Sequence, residues 1–184
     1  LQVLRRRADN QDSEEAKFTE LLKIADKAEE DDACADLAAD ALAVIYKAKS
    51  DDIDLCERLI NAYIRANNID AARPLLDDVI ASLNDSKQTK RLPPFYCLKG
   101  RMLKQNGDIS GAREAFEAAS AIDKNNIANN LELGILLYEA GEYEAAGAAL
   151  NKLLLHQMNI KDKNTKVKIF YYLGMYRMKT NEPK

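Results

Sequence analysis

Few residues in this chain have side chains suited to catalysis or metal binding, and they lie far apart. His156 is the only histidine, and the three cysteines, Cys34, Cys56 and Cys97, form no CxxC pair. Metal centres and Ser–His or Cys–His catalytic pairs need more partners than these, and no GxxxxGK(S/T) or GxGxxG phosphate-binding motif occurs. The many carboxylates are expected on solvated helix faces rather than as general acids or bases. The sequence therefore predicts no enzyme activity, no metal site and no cofactor.

Composition and charge are typical of a helical chain with a packed core. The 184 residues are 47% hydrophobic and 31% charged, with only 7 glycines and 4 prolines. Long stretches of Ala, Leu, Glu and Lys favour helices. The net charge of −3 does not indicate nucleic-acid binding, and no apolar run is long enough to predict a membrane span. An odd number of dispersed cysteines favours reduced thiols and a cytoplasmic location over a disulfide framework.

A repeat with a period of 34 residues organises the second half of the chain, since Gly107 and Gly141 are 141 − 107 = 34 residues apart. Each copy is interpreted as two helices separated by this glycine, because glycine readily adopts the left-handed conformation that ends a helix. Small residues elsewhere in each copy would let two helix backbones approach closely, with larger residues beside them. The positions predicted to hold this structure are Tyr96, Gly100, Gly107, Ala112, Phe116, Ala119, Leu133, Gly134, Gly141, Ala146, Leu150, Leu173 and Gly174.

The same template predicts one array over residues 1–184. In the repeat at 53–86, Asn67 replaces the glycine of the break, and asparagine is the next-best left-handed residue. Pro74 is expected in the first turn of the following helix, where proline is tolerated. The predicted segments are a degenerate helix pair at 14–48, repeats at 53–86, 94–126 and 127–160, and the first helix of a truncated repeat at 167–184.

These residues resemble the tetratricopeptide repeat, in which an aromatic residue and Leu-Gly on a first helix are followed by a Gly-acid turn and by small and large apolar residues on a second. Lys124 and Met158 depart from the pattern, because the family usually ends a repeat with proline there. The resemblance implies an all-α fold, a right-handed α-solenoid of stacked antiparallel helix pairs that forms a superhelix. It also implies a non-catalytic module for protein–protein interaction.

In this family the first helix of each pair lines a concave groove, so residues on those helices but off the packing stripe are candidates for partner binding. Arg65, Arg101 and Lys104 would form a basic middle of the groove, and the later residues an apolar part. We expect the partner to be a protein or peptide that carries an acidic group beside apolar anchors. The candidates are Asn61, Arg65, Arg101, Lys104, Leu131, Ile135, Tyr138, Tyr171 and Met175.

One family function is not expected here. Some members grip the acidic C-terminal tails of chaperones with a Lys/Asn/Arg clamp, and Asn61 fits one of the clamp positions. However, Glu57 stands where a lysine is required, and Leu98, Ala128 and Glu132 occupy other positions of the clamp. We therefore predict no chaperone-tail clamp.

An alternative function follows from the ends of the sequence. The chain begins at Leu1 without an initiating methionine, and its last repeat stops at Lys184 after one helix. The alternative to a partner-binding scaffold is therefore a regulatory or structural segment of a larger protein that contacts its own chain.

Overall fold

The computed structural model describes residues 13–154, 160 and 162–180. These residues contain nine α-helices and no strand, and they form two compact units that divide after Ser82. The first unit holds α1 (Glu14–Ala28), α2 (Ala35–Ala48), α3 (Ile53–Arg65) and most of α4 (Ile69–Asp85). The second holds α5 (Leu92–Gln105), α6 (Ile109–Ile122), α7 (Ile127–Glu139), α8 (Tyr143–Leu154) and α9 (Lys163–Thr180). Short 3₁₀ turns at Asp32–Cys34 and Thr89–Arg91 precede α2 and α5.

Helices that follow one another in the chain pack side by side within each unit. In the second unit, α5 packs on α6, α7 on α8 and α8 on α9, and the first helices of successive pairs also touch, α5 with α7 and α7 with α9. Short connections between packed helices reverse the chain direction, which makes neighbours antiparallel. The predicted fold class, an all-α stack of antiparallel helix pairs, is confirmed.

The first unit has a continuous apolar core. Ile24 of α1, Leu42 of α2 and Leu59 of α3 are buried there, and Leu75 of α4 packs against them. Arg58 on α3 adds a polar link to α1, because its Nη2 atom lies 2.6 Å from Asp26 Oδ1 and 3.0 Å from Glu29 Oε2. The buried residues of each helix recur at intervals of three and four, as expected for amphipathic helices.

Four helix ends share one kind of turn, in which the chain takes a left-handed conformation for a single residue. The amide of the next residue bonds back to the carbonyl five positions earlier, as in the 2.9 Å bond from Asp108 N to Leu103 O. This arrangement is the Schellman cap. The left-handed residues, with φ between 57° and 83°, are Asn67, Lys87, Gly107 and Gly141.

The Gly-acid pair at 107–108 has two separate tasks. Gly107 ends α5 through its φ of 83°. Asp108 begins α6, because its Oδ1 atom accepts a 2.9 Å hydrogen bond from the amide of Gly111. The motif therefore stops one helix and caps the next within two residues.

Glycines also set the spacing between paired helices in the second unit. A Cβ atom on Gly100 would lie 2.6 Å from Cδ1 of Phe116, and one on Gly134 would lie 2.6 Å from Cγ of Leu150. Phe116 and Leu150 are fully buried. The large side chain of each second helix thus occupies the volume that a Cβ on the first helix would need.

Pro74 lies deeper in its helix than the sequence suggested, so that prediction was wrong. Asn68 Oδ1 accepts a hydrogen bond from Ala71 N and caps α4, which therefore begins at Ile69. Pro74 is the sixth residue of α4 and lies in its second turn. Its missing N–H leaves the Asp70 carbonyl without an intrahelical donor. Both residues are exposed, so this carbonyl is open to hydration.

The glycine contacts can be tested with one pair of alanine substitutions. We expect Gly100→Ala to lower the free energy of unfolding by about 1–3 kcal/mol, because the new methyl group overlaps the buried Phe116 ring. Gly174→Ala is the control, since none of the described atoms lies within 4 Å of a Cβ built there. It should raise the free energy of unfolding by about 0.5–1 kcal/mol through helix propensity. Urea unfolding followed by circular dichroism measures both, and equal stability of the two variants would contradict the packing described.

Candidate functional site

A groove of about 880 Å³ opens on the second unit. Its walls are α5, α7 and α9, the first helices of successive pairs, together with part of the segment before α9. Its lining mixes branched aliphatic, aromatic and charged side chains: Cys97, Arg101, Lys104, Ile127, Ala128, Leu131, Glu132, Ile135, Glu139, Ile160, Asp162, Thr165, Lys168, Tyr171 and Tyr172.

Five of the nine candidate binding residues line this groove. They are Arg101, Lys104, Leu131, Ile135 and Tyr171. Tyr138 and Met175 are half-buried on α7 and α9 and are not among the lining residues. Asn61 and Arg65 belong to α3 of the first unit.

The apolar floor of the groove is also part of the core. Leu131 and Ile135 are only 6% and 8% exposed, and they pack with Ile160, Ile169 and other buried residues of α8 and α9. In contrast, Tyr171 is 59% exposed at the edge of the groove. A bound group would therefore rest on a fixed apolar floor and make its adaptable contacts at Tyr171.

The charges of the groove are balanced, whereas the sequence suggested a basic middle. The lining holds three basic and three acidic side chains. Lys104 Nζ lies 2.8 Å from Glu139 Oε2, and Arg101 Nε lies 3.7 Å from Glu132 Oε1. Lys104 and Glu139 therefore form a hydrogen-bonded ion pair, whereas the distance between Arg101 and Glu132 is longer than a hydrogen bond. Both pairs join α5 to α7 across the floor.

Arg65 has a local role in the first unit. Its Nη2 atom lies 2.7 Å from Asp32 Oδ1, and its Nε atom donates to the same oxygen at 2.8 Å. This double contact holds the end of α3 against the 3₁₀ turn before α2. The sequence did not reveal it, because the two residues are 33 positions apart.

An aromatic cluster stands behind the groove. The ring of Tyr138 lies 5.4 Å from Tyr143 and 5.8 Å from Tyr172, and Tyr172 lies 5.2 Å from Tyr171 in an edge-to-face contact. Burial raises the pKa of the Tyr172 hydroxyl, and the carboxylate of Glu139 acts in the same direction. Tyr138 therefore supports the wall of the groove through Tyr172.

The start of α9 supplies three lining residues that were not among the candidates from the sequence: Asp162, Thr165 and Lys168. The helix begins at Lys163, because Asp162 Oδ2 accepts hydrogen bonds from Thr165 N at 2.7 Å and Thr165 Oγ1 at 2.6 Å. Asp followed three residues later by Thr is a recognisable helix start. That signal lies between the predicted repeat at 127–160 and the predicted helix at 167–184, in residues that were assigned to neither.

Several sequence observations concern residues outside the described part of the chain. These include His156 and Met158. No disulfide links Cys34, Cys56 and Cys97. Among the described residues, no group of three or more His, Cys, Asp or Glu side chains could hold a metal ion.

None of the described helices combines the length and the apolar character that crossing a bilayer requires.

Comparison with known proteins bears on the repeat itself. Residues 103–161, which include α6, α7 and α8, match the family model of the tetratricopeptide repeat. These are tetratricopeptide repeats. Of the three helices that line the groove, α7 lies within this match, whereas most of α5 and all of α9 lie outside it. No curated protein matches the chain.

Two solved structures share the fold of this chain. The crystal structure of MamA protein is 17% identical, with a TM-score of 0.58 over 89% of this chain and 82% of that chain. A MamA RS-1 ArsTM double mutant is also 17% identical, with a TM-score of 0.53 over 88% of this chain and 97% of that chain. At this identity the likeness establishes the fold alone.

The two roles of the groove residues can be separated by mutation. We expect Leu131→Ala to lower the free energy of unfolding by about 2–5 kcal/mol, because it opens a cavity in the core. Tyr171→Ala should change it by less than about 0.5 kcal/mol, because that side chain is largely in solvent. Chemical denaturation of both variants gives the comparison. A small effect of Leu131→Ala would mean that the groove floor is not part of the core.

Proposed function

We propose that this chain is a non-catalytic protein-interaction scaffold that holds an extended or helical peptide segment in the groove between α5, α7 and α9. The observation that carries the proposal is that an open groove is lined by the first helices of three successive pairs. The tetratricopeptide repeats at 103–161 support a role in protein binding. The side chains that line the groove are aliphatic, aromatic and charged groups that can contact a peptide, and this lining supports a role in binding.

The apolar anchor of such a peptide would sit between the floor and the rim. Leu131 and Ile135 provide a rigid aliphatic base, and Tyr171 provides an exposed ring that can close over a bound side chain. Aromatic residues contribute strongly at protein interfaces because they bury a large area and lose little conformational freedom. A leucine, isoleucine or phenylalanine of the partner fits this position.

The acidic group of the peptide would bind at Arg101. The 3.7 Å separation of Arg101 Nε and Glu132 Oε1 is longer than a hydrogen bond. A carboxylate that reaches Arg101 with hydrogen-bond geometry would therefore compete with Glu132 for the guanidinium group. Lys104 is held more closely by Glu139 and is a secondary contact.

The groove does not favour a chaperone-tail clamp. Ala128 and Glu132 line it, and the carboxylate of Glu132 would repel the paired carboxylates of an acidic tail. An internal peptide with a single acidic residue beside its apolar anchor suits the balanced charges better. The predicted cytoplasmic location and the absence of nucleic-acid binding stay predictions.

The proposal can be tested by selecting peptides from a random display library on the whole chain. We expect the selected peptides to combine an apolar anchor with an acidic residue, and the dissociation constant is then measured by fluorescence anisotropy. The double variant Arg101→Glu/Tyr171→Ala should weaken binding by at least about tenfold, which corresponds to about 1.4 kcal/mol. Tyr171 is chosen over Tyr138 because Tyr171 is exposed and lines the groove, whereas Tyr138 is half-buried and does not.

The matched control is Lys152→Glu/Ile109→Ala. It makes the same kinds of change at exposed residues of α8 and α6 that do not line the groove. Binding that the control retains and the groove variant loses supports the proposal. Selected peptides that bind all three proteins equally, or a selection that yields no binder, would refute it and favour the alternative of a segment that contacts its own chain.

A further inference from the structure

The last helix presents a second apolar surface that is separate from the groove. Val167, Phe170, Gly174 and Met178 follow one another at spacings of three and four residues, so they lie on one face of α9. Val167, Phe170 and Met178 are 67%, 53% and 66% exposed. We call these four residues the α9 stripe. None of them lines the groove.

Gly174 lies at the centre of the stripe, and no large side chain of another described helix packs over it. Gly100 and Gly134 occupy the same place on α5 and α7, and each is covered by a large side chain of the following helix, Phe116 or Leu150. No atom of the described residues lies within 4 Å of a Cβ built on Gly174. The surface over Gly174 therefore has room for a large apolar side chain of another helix, and none of the described residues occupies that room.

Charge distinguishes this surface from its two counterparts. Three residues after the glycine, α5 and α7 carry Leu103 and Leu137, whereas α9 carries Arg177. Helix α9, Lys163–Thr180, contains five basic residues and no acidic residue. Lys166 and Arg177 lie along one flank of the stripe by helical geometry, and Lys163 lies on the face of the stripe, one turn before Val167. A helix that packs here gains from acidic side chains opposite this flank.

We propose that the α9 stripe binds an acidic amphipathic helix of a partner protein, with a large apolar side chain of that helix seated over Gly174. The partner helix would pack as α6 packs on α5, and its acidic residues would pair with Arg177 and the neighbouring lysines. The site is independent of the groove, since a helix on the stripe need not touch Arg101 or Lys104.

The chain itself supplies the probe. A synthetic peptide of residues 108–123 contains α6 and its capping Asp108, places Phe116 near its centre, and has four acidic residues and one basic residue, 1 − 4 = −3. In the folded protein the equivalent place on α5 is already filled by the chain's own Phe116. The labelled, end-blocked peptide is titrated with the whole chain and its dissociation constant measured by fluorescence anisotropy.

We expect the wild-type chain to bind this peptide, and Gly174→Leu to weaken binding by at least about tenfold because the leucine fills the space over the glycine. A peptide with the Phe116→Ala change should bind the wild-type chain more weakly by a similar factor. Arg177→Glu should weaken binding, and in wild type the affinity should fall as salt screens the charges. The controls Lys152→Glu, on α8, and Arg101→Glu, in the groove, should bind as wild type does. Circular dichroism spectra confirm that all variants are folded.

Each other outcome would overturn the proposal. Equal binding by wild type and Gly174→Leu would place the peptide elsewhere, and no binding at about 1 mM peptide would mean that the stripe does not accept a helix in trans. Self-association of the wild-type chain in sedimentation experiments, abolished by Gly174→Leu, would assign the stripe to a second copy instead. Loss of binding in Arg101→Glu would assign the peptide to the groove, which separates this proposal from the proposed function.

Discussion

The packing of a large side chain against a helical glycine is the contact on which the second unit depends. Phe116 covers Gly100, Leu150 covers Gly134, and the ring of Tyr176 covers Gly147 between α8 and α9. In each case the glycine allows the two backbones to approach more closely than any side chain would permit. Because protein interiors are packed as densely as organic crystals, these contacts fix the positions of the helices with little freedom.

The groove is a consequence of that packing. Helices α5 and α7 are each held through one face by the helix that follows, and α9 is held by α8, while another face of each lines the groove. The side chains on that face are not independent of the core, because Leu131 and Ile135 belong to both. The ion pairs between α5 and α7 then set the electrostatic character of the surface. Its specificity would come from exchange of ion partners rather than from a simple excess of positive charge.

Much of the fold could be predicted from the sequence because the decisive residues recur at a constant interval. Gly100 with Phe116 and Gly134 with Leu150 stand out as aligned pairs when the two copies of the repeat are superimposed. The groove was harder, since periodicity tells which face of a helix a residue occupies but not which partner its charge finds. The link between Arg65 and Asp32 joins distant positions, and no periodic pattern reveals such a pair.

Two local misjudgements have simpler causes. Pro74 was expected in the first turn of its helix, whereas the Asn68 cap begins α4 at Ile69 and so places Pro74 in the second turn. The beginning of α9 was hidden because the interval between repeats lengthens there, although Asp162 and Thr165 carry the signal of a helix start. Charged and capping residues act through individual contacts that do not recur at the repeat interval, so each has to be recognised separately.

The left-handed turns show that different residues can produce the same backbone geometry at a helix end. Asn67, with a φ of 57°, makes the turn that Gly107 and Gly141 make with 83° and 81°. The family model begins at residue 103 and so does not include the Asn67 turn. A left-handed turn between paired helices therefore does not require glycine, and a search for the Gly-acid motif alone would miss the turn at Asn67. Lys87, with a φ of 58°, makes the same turn at the end of α4, so a left-handed residue marks the end of a helix rather than the middle of a repeat.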